Sequence, residues 1–339
     1  MVKNARKSGK KPGRAKPRLG RRQRKPTVAI IGAGRLGNAL GQALKNAGYR
    51  VEVVVARHRT SARRAARLFG KDTVGLTFRQ LGELLPSQFD RLGRRDLMLI
   101  STPDDAIAPV AERLASLFNS RKVGPQSVSA RRVVLHTSGA LAADVLSPLR
   151  SAGFATGSLH PLVSISDSRI QSDAFRNAFF AIEGDQPAMR VARSVVRNLG
   201  GQSFSISPDA KALYHAAAVT ASGHVVALFD IALEMLARCG LSRPRARQIL
   251  LPLLESTARN LSSKDPARAL TGTFARGDVS TARRHLASIK SHKLRDALAA
   301  YLLLGQRSLL LAKGRSANRD GLDQIAEILS ATTMFSSKR

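Results

Sequence analysis

Lys211 and His215 have the residue types and the spacing to act on a substrate. They lie four residues apart in a segment with helical signals, and Ser222 follows at the helical repeat. At about 100° per residue, the three side chains share one helix face. A buried lysine or an imidazole can donate a hydrogen bond or a proton to a carbonyl or an imine. We therefore predict Lys211 and His215 as catalytic and Ser222 as substrate-binding, with an exposed, inert Lys211 as the alternative.

Two further histidines end predicted strands. His136 is followed by Ser138 and Gly139, and His160 ends the next strand along the chain. In an open α/β sheet, ligands bind beyond the carboxyl ends of the strands. We therefore predict His136, Ser138, Gly139 and His160 as substrate-binding, the alternative for each histidine being a buried ring bonded to backbone. The histidine spacings match no local metal-ligand motif, and we predict no metal site.

A glycine motif, Gly32-Ala-Gly34-Arg35-Leu36-Gly37, follows the first predicted strand and opens a helix. In this context the first glycine makes a tight turn, the second lets the backbone approach a pyrophosphate, and the third permits close helix–strand packing. The helix N-terminus adds free N–H groups. We predict that residues 32 and 34–37 bind a dinucleotide; a structural glycine-rich turn is the alternative.

The end of the second predicted strand indicates which dinucleotide is bound. NAD sites usually carry an acid here for the ribose hydroxyl. This chain has Arg57, Arg59 and Ser61 instead, which suit a 2′-phosphate. The sequence thus favours NADP, although an arginine-rich chain also places arginines here by chance.

The loop after the predicted strand at 96–101 carries Thr102, Pro103 and Asp104. Because it follows a strand at the same rim, we predict that it covers the ribose–nicotinamide side of the cofactor. Simple helix capping by Thr102 or Asp104 is the alternative.

Strand and helix patterns alternate over the first two thirds of the chain, which predicts an α/β Rossmann-like domain with a mostly parallel sheet. The predicted strands are 27–31, 50–56, 96–101, 132–137, 154–159, 178–183 and 202–206, and the predicted helices are 35–47, 61–69, 105–118 and 191–199.

After residue 207 the strand signals stop, and an all-α domain built on a long central helix is predicted. That helix would run about 30 residues to Gly240, and its middle is apolar all round. A buried helix or a homodimer interface is favoured over a membrane span, so no membrane insertion is expected. The predicted division is a tail at 1–26, a dinucleotide-binding domain at 27–207 and a helical substrate and dimerisation domain at 208–335.

The composition sets further limits. The formal net charge is +33, and residues 1–25 hold 12 basic residues and no acidic one. This segment is typical of a disordered arm, with non-specific nucleic-acid binding as the alternative. The single cysteine, Cys239, excludes an intramolecular disulfide and suits a reducing, cytoplasmic setting. The absence of tryptophan and the 4% aromatic content argue against a base-stacking platform.

Residues 27–315 resemble a bacterial family with an N-terminal Rossmann-like NADP-binding domain and a C-terminal helical domain of unknown function. The segments that carry the resemblance are His136-Thr-Ser-Gly139, Leu159-His-Pro161, Lys211-Ala-Leu-Tyr-His-Ala-Ala-Ala-Val219 and Ala269-Leu-Thr-Gly-Thr-Phe-Ala-Arg-Gly-Asp278. The resemblance implies an NADP-dependent oxidoreductase without an established substrate.

More distantly, the chain is similar to pyrroline-5-carboxylate reductases, β-hydroxyacid dehydrogenases and ketopantoate reductases, which often dimerise through the helical domain. In β-hydroxyacid dehydrogenases a Lys-x-x-x-Asn pair on the long helix serves catalysis; Lys211 falls on the lysine, and His215 replaces the asparagine. Thr271-Gly-Thr273 resembles the carboxylate-binding loop of pyrroline-5-carboxylate reductases, which implies that Thr271 and Arg276 bind substrate.

Together these observations predict hydride transfer between NADPH and the C=O or C=N carbon of a small carboxylate-bearing substrate. Two alternatives stay open: a non-catalytic NADP-binding regulator, and a nucleic-acid-associated protein that uses the basic tail.

Overall fold

A computed structural model describes residues 25–84, 97–120, 132–166, 173–315 and 318–336. The chain forms two compact units, Met1–Ala216 and Ala217–Arg339. The first unit therefore extends nine residues past the domain boundary that the sequence indicates at 207/208. Apart from Lys25 and Pro26, the predicted basic tail at 1–26 lies outside the described residues.

The first unit is built on an eight-stranded sheet with the order β3-β2-β1-β4-β5-β6-β7-β8. All neighbouring strands pair in parallel except β6 and β7, which are antiparallel. The strands are β1 Thr27–Ile31, β2 Arg50–Ala56, β3 Val74–Thr77, β4 Leu97–Ile100, β5 Val133–His136, β6 Ala155–Pro161, β7 Phe179–Gly184 and β8 Gln202–Ser205. This confirms the predicted Rossmann-like fold class.

Helices cover both faces of this sheet because its strands are apolar on both sides. Val28 and Ile30 of β1 enter one core, and the alternating Ala29 and Ile31 enter the other. The α-helices are α1 Arg35–Asn46, α2 Arg59–Phe69, α3 Phe78–Glu83, α4 Asp104–Ser120, α5 Ser147–Ser151, α6 Gln186–Asn198 and α7 Lys211–Ala221, with short 3₁₀ turns at Ala143–Leu146 and Pro208–Ala210.

The sequence analysis missed β3 and α3. β3 has four residues, includes Gly75, and pairs only with β2 at the edge of the sheet, so its hydrophobic signal is weak. Thr77 then starts α3 through a capping box with Gln80. Helix α6 begins at Gln186, five residues before the predicted start, with a proline in its first turn.

The second unit is all helical and has its own core. Its helices are α8 Gly223–Arg238, α9 Arg243–Ser263, α10 Pro266–Ala269, α11 Thr273–Arg276, α12 Val279–Ser291, α13 Arg295–Ala312 and α14 Arg319–Ser336. Buried side chains of α12, α13 and α14, among them Leu286, Leu309 and Ile325, form its largest core cluster. This confirms the helix-rich C-terminal region.

The long helix predicted after residue 207 is interrupted. Ser222 has φ −129° and ψ −74°, which lies outside the helical region and separates α7 from α8. The segment Pro208–Arg238 still has the length and hydropathy of a membrane span, but these properties alone are weak evidence for one. Only 6% of its most apolar window is buried within the chain. The apolar surface that the sequence predicts to be covered is thus largely exposed in a single chain.

Candidate active site

The glycine turn lies where the strand order of the sheet reverses, between β1 and β4. The Gly32 N–H donates to the Val55 carbonyl (2.8 Å), and the Ser101 N–H donates to the Ile31 carbonyl (2.7 Å). Such a switch point is where open α/β sheets bind ligands. Gly32 has φ +111°, and a Cβ there would lie 2.4 Å from the Ser101 carbonyl oxygen. Only glycine suits this turn.

The other two glycines of the motif have distinct surroundings. A Cβ on Gly34 would have nothing within 4 Å, whereas one on Gly37 would lie 2.0 Å from the Gly32 carbonyl oxygen. Gly34 thus borders open space, and Gly37 permits the close contact between α1 and the turn. Gly34 is also the N-cap of α1, with no side chain to satisfy the first-turn N–H groups. These features suit an anionic ligand at the helix N-terminus.

A second helix start, that of α2, presents the arginines predicted to select NADP. Arg57 and Arg59 are exposed and Ser61 is half-buried. His58 is the N-cap without a side-chain cap bond, and the first turn has no acid. Over the described ranges, neither guanidinium has an ion-pair partner. Both are therefore available to a phosphate.

A cleft of about 400 Å³ runs along this rim of the sheet, which is within the usual range for small-ligand sites. Its lining residues all belong to the first unit: Gly34, Arg35, Leu36, Ser101, Thr102, Pro103, Asp104, Thr137, Ser138, Gly139, His160, Pro161, Val163, Ile165 and His215. In the described part of the chain, Thr102 Oγ1 and His215 Nδ1 are buried without a hydrogen-bond partner. A bound ligand would satisfy such groups, because leaving them unpaired costs free energy.

Beside the cleft, a row of polar side chains crosses three strands of the sheet. The strand registers pair His136 with Ser158 and Ser158 with Glu183. Paired residues on neighbouring strands point to the same face. All three residues are buried, with relative exposures of 0%, 0% and 6%. Two members of this row, His136 and Glu183, hydrogen-bond the backbone of the loop after β5 and hold it in place.

His136, which the sequence predicts to bind substrate, does not line the cleft, and that role stays a prediction. Its Nδ1 accepts from the Ser138 N–H (3.2 Å), and its Nε2 lies 3.2 Å from the Ala142 carbonyl oxygen. With Nδ1 accepting, Nε2 carries the proton and donates to Ala142. Burial, followed by the nearby Lys211 charge, lowers the pKa of His136 to about 3. The ring is a neutral brace for the loop after β5, as in the alternative raised from the sequence.

Lys211 is also fully buried and does not line the cleft. Its Nζ donates to Ser158 Oγ (2.8 Å) and to the Ser138 carbonyl (3.3 Å), and lies 4.0 Å from Glu183 Oε1. Burial lowers the pKa of Lys211, while Glu183 and Asp104 act in the opposite direction. The hydroxyl, carbonyl and carboxylate oxygens around Nζ favour its ammonium form. The amine lies behind the loop and holds Ser138, and the predicted catalytic role of Lys211 stays a prediction.

Ser138 lines the cleft, but its hydroxyl is already engaged. Oγ donates to Asp104 Oδ2 (2.8 Å) and accepts from the N–H groups of Ala140 (3.1 Å) and Leu141 (3.0 Å). The bond to Asp104 ties the loop after β5 to the start of α4. Thr102, Pro103 and Asp104 line the same cleft as the glycine turn, and their place beside the cofactor stays a prediction.

The histidines that do face the cleft are His160 and His215. Their ring centroids are 5.3 Å apart with nearly perpendicular planes. His160 Nδ1 hydrogen-bonds the Tyr214 hydroxyl (2.7 Å). Burial is the largest of the effects that lower the pKa of His160 to about 4, so the ring is neutral near pH 7. Two imidazoles thus provide hydrogen-bonding nitrogens at the end of the cleft away from the glycine turn.

The remaining predicted substrate residues lie in the second unit. Ser222 is exposed at the break between α7 and α8, and its hydroxyl donates to the Ala218 carbonyl (2.7 Å). Thr271 is exposed before α11, and Arg276 is exposed in the last turn of that helix. The roles of these three residues remain predictions.

The sequence analysis did not single out Ser158, Glu183 or Tyr214 as site residues. Ser158 and Glu183 lie in apolar strands, where a buried polar residue is a signal of function or pairing. Glu183 Oε1 also accepts a hydrogen bond from the Ala143 N–H, which anchors the far end of the same loop. Tyr214 lies within the segment 211–219 that carries the family resemblance.

Family models cover both parts of the chain. Residues 12–161 match the model described as a Rossmann-like domain, and residues 178–308 match the model of a domain of unknown function, DUF2520. The protein thus pairs a Rossmann-like domain with a C-terminal DUF2520 domain, as the resemblance in its sequence indicates. No curated protein matches the chain.

Solved structures with the same fold include several named as reductases. A candidate NADP oxidoreductase from Bacteroides fragilis is 21% identical, with 84% of this chain and 98% of that chain covered and a TM-score of 0.63. An imine reductase from Myxococcus stipitatus in complex with NADP⁺ is 16% identical, with 89% and 100% covered and a TM-score of 0.56. Pyrroline carboxylate reductase from Plasmodium falciparum with NADP bound is 11% identical, with 85% and 99% covered and a TM-score of 0.51.

Proposed function

We propose that this protein is an NADP-dependent oxidoreductase. It would transfer hydride between NADPH and the C=O or C=N carbon of a small, carboxylate-bearing substrate. The observation that carries the proposal is one continuous cleft lined by the glycine turn and by two histidines, of which His160 is neutral near pH 7. The structural neighbours named as NADP oxidoreductases or as NADP complexes support it.

The residues around the glycine turn fit NADPH. The open space beside Gly34 and the free N–H groups of α1 suit the pyrophosphate, and Arg57, Arg59 and Ser61 suit the 2′-phosphate. Thr102 Oγ1 is an unpaired group in the same cleft. When bound, NADPH would supply the hydride, which no side chain can provide.

His160 and His215 line the proposed substrate end of the cleft, and the backbone of Ser138 and Gly139 forms its floor. His215, the predicted catalytic residue, has an unpaired Nδ1 there and can hydrogen-bond the reacting oxygen or nitrogen. Lys211 holds the floor through the Ser138 carbonyl. For the substrate carboxylate, Thr271 and Arg276 remain the candidates implied by family resemblance.

Paired fluorescence titrations of the full-length protein with NADPH and NADH test the proposal. We expect NADPH to bind at least about tenfold more tightly, and Arg57→Ala and Arg59→Ala to remove that preference, since each guanidinium can pair with the 2′-phosphate. Arg67→Ala, in the last turn of the same helix, is the matched control. Equal binding of the two nucleotides would refute the choice of NADP, and binding of neither would refute the oxidoreductase.

The alternative is a non-catalytic, NADP-binding regulator, which the burial of Lys211 away from the cleft favours. It predicts tight NADPH binding without consumption across keto acids and cyclic imines. Turnover that is lost in His215→Phe while NADPH binding persists would exclude this alternative. For both alternatives, we propose that the protein is cytoplasmic.

A further inference from the structure

We propose that His160 and His215 form a two-imidazole subsite for the oxygen of an uncharged carbonyl group. The carbon body next to that carbonyl would pack on Pro161, Val163 and Ile165. This inference rests on the proposed function. It narrows the substrate class to ketones and aldehydes and excludes protonated imines.

The two rings converge on one point above Gly139. A Cβ built on Gly139 would lie 2.3 Å from His215 Nδ1 and 2.8 Å from His160 Nε2. The two imidazole rings therefore pack against Gly139 and fill the place that a side chain there would take. The proposed ligand oxygen would lie on the cleft side of these rings, both of which line the cleft. His215 Nδ1 is buried without a hydrogen-bond partner in the described structure, and in the tautomer with its proton on Nδ1 it can donate to that oxygen.

Tyr214 determines which way His160 presents its proton. The hydroxyl lies 2.7 Å from Nδ1 of a ring whose pKa is lowered to about 4. Burial raises the pKa of Tyr214 to about 12, so the phenol keeps its proton. When the phenol donates to Nδ1, the proton of the neutral ring sits on Nε2 and faces the subsite. In that arrangement Tyr214 is a positioning residue and His160 is a donor, as a carbonyl oxygen requires.

The charges around His160 and His215 favour a ligand oxygen that gains negative charge. After burial, the neighbouring His215 and the Lys211 ammonium are the causes of the lowered pKa of His160. A site that disfavours an imidazolium also disfavours an iminium, whose N–H would point at the His160 N–H. The same field stabilises the partial negative charge that develops on a carbonyl oxygen during reduction.

Apolar residues of the segment that follows β6 form the adjacent wall. Pro161 is buried, and Val163 and Ile165 are half-buried against the core of the sheet. Each lines the cleft. Apolar side chains held by the core suit the hydrocarbon part of a substrate, while the histidines fix its one polar atom.

Histidine-labelled, full-length protein provides the test, with cyclohexanone as the probe and the imidazole ¹⁵N signals as the readout. In the free protein we expect His160 to show the Nε2–H tautomer. Cyclohexanone should shift His160 Nε2 and His215 Nδ1 in a saturable manner. Two matched probes should not: methylenecyclohexane, which has the same shape without oxygen, and cyclohexylammonium, which carries a positive charge.

Two variants locate the binding. Gly139→Ala places a methyl group between the two nitrogens, and His215→Phe keeps a ring but removes one hydrogen bond. We expect each to weaken cyclohexanone binding about tenfold, the effect of losing one hydrogen bond in a desolvated site. If Gly139→Ala fails to fold, His215→Phe carries the same test.

The inference is overturned if cyclohexanone shifts neither histidine, if cyclohexylammonium shifts them more, or if both folded variants bind the ketone as the wild type does. NADPH titration of the same samples separates the two proposals. NADPH binding without a ketone response refutes the subsite and leaves the proposed function standing. A ketone response without NADPH binding refutes the cofactor and leaves the subsite standing.

Discussion

The buried ring of His136 should make the stability of this protein fall steeply in mild acid. The unfolded chain binds a proton at the ordinary pKa of 6.5, whereas the folded ring does so only at about 3. A pKa that is lowered by folding contributes stability above pH 6.5, and that stability is lost as the pH falls toward 3. The slope across this window is about 1.4 kcal/mol per pH unit for one histidine.

Lowering the pH from 7 to 4.5 should therefore cost the folded state about 2.5 kcal/mol through His136 alone. The change to make is His136→Gln, since glutamine can both donate to Ala142 and accept from Ser138 without titrating. The measurement is urea unfolding at a series of pH values, followed by circular dichroism. We expect the variant to lose stability more slowly with acid, by about 1.4 kcal/mol per pH unit.

His224→Gln is the matched control, because His224 is exposed and removal of an exposed ring should leave the slope unchanged. An unchanged slope in His136→Gln would refute the buried, neutral imidazole. A changed dependence of stability on pH in both variants would show that the effect is not specific to His136.

Three further outcomes are expected. Lys211→Met should lower the free energy of unfolding in urea by about 3 kcal/mol, because it leaves Glu183 buried without its cation. Adding Glu183→Gln to that variant should restore at least about 1 kcal/mol. Losses of stability that simply add in the double variant would contradict the pairing of Lys211 with Glu183. Gly34→Ala should change the free energy of unfolding by under about 0.5 kcal/mol but weaken NADPH binding at least about tenfold. Gly37→Ala should lower the free energy of unfolding by about 3 kcal/mol. Equal stability of the two variants would contradict the roles assigned to the two glycines. Val226, which is 70% exposed on α8, belongs to the surface predicted to be covered in a homodimer. Light scattering should show a dimer that Val226→Asp converts to monomers, and a monomeric wild type would refute the expectation.

Local sequence signals were sufficient for most of the fold. The seven predicted strands are rich in β-branched and aliphatic residues, and each is present in the structure within a few residues of its expected bounds. The short edge strand β3 was missed because four residues with one glycine give almost no periodic signal. The break at Ser222 was missed for the opposite reason: the apolar pattern continues without interruption on both sides of it.

The candidate site was predicted less completely, because burial depends on contacts between distant parts of the chain. The glycine motif carries its predicted roles in its own spacing, and the structure gives each glycine the expected surroundings: a positive φ at Gly32, open space at Gly34 and a close helix contact at Gly37. His136 and His160 look alike in sequence, yet one ring is bonded to backbone below the loop and the other faces the cleft. The proximity of Glu183 to Lys211 follows from the antiparallel register of β7 on β6, which no local pattern encodes.

The attachment of Lys211 to the sheet also bears on how such a chain can be divided during evolution. Its bonds to Ser138 and Ser158 span 73 and 53 residues and tie the first turn of α7 to strands far upstream. A recombination event at residue 207 would separate the lysine from Glu183 and leave a buried carboxylate without its cation. A division that preserves these bonds must fall beyond Lys211, as the boundary between the two compact units after Ala216 does, so a transferred Rossmann-like domain would have to include the start of the helix.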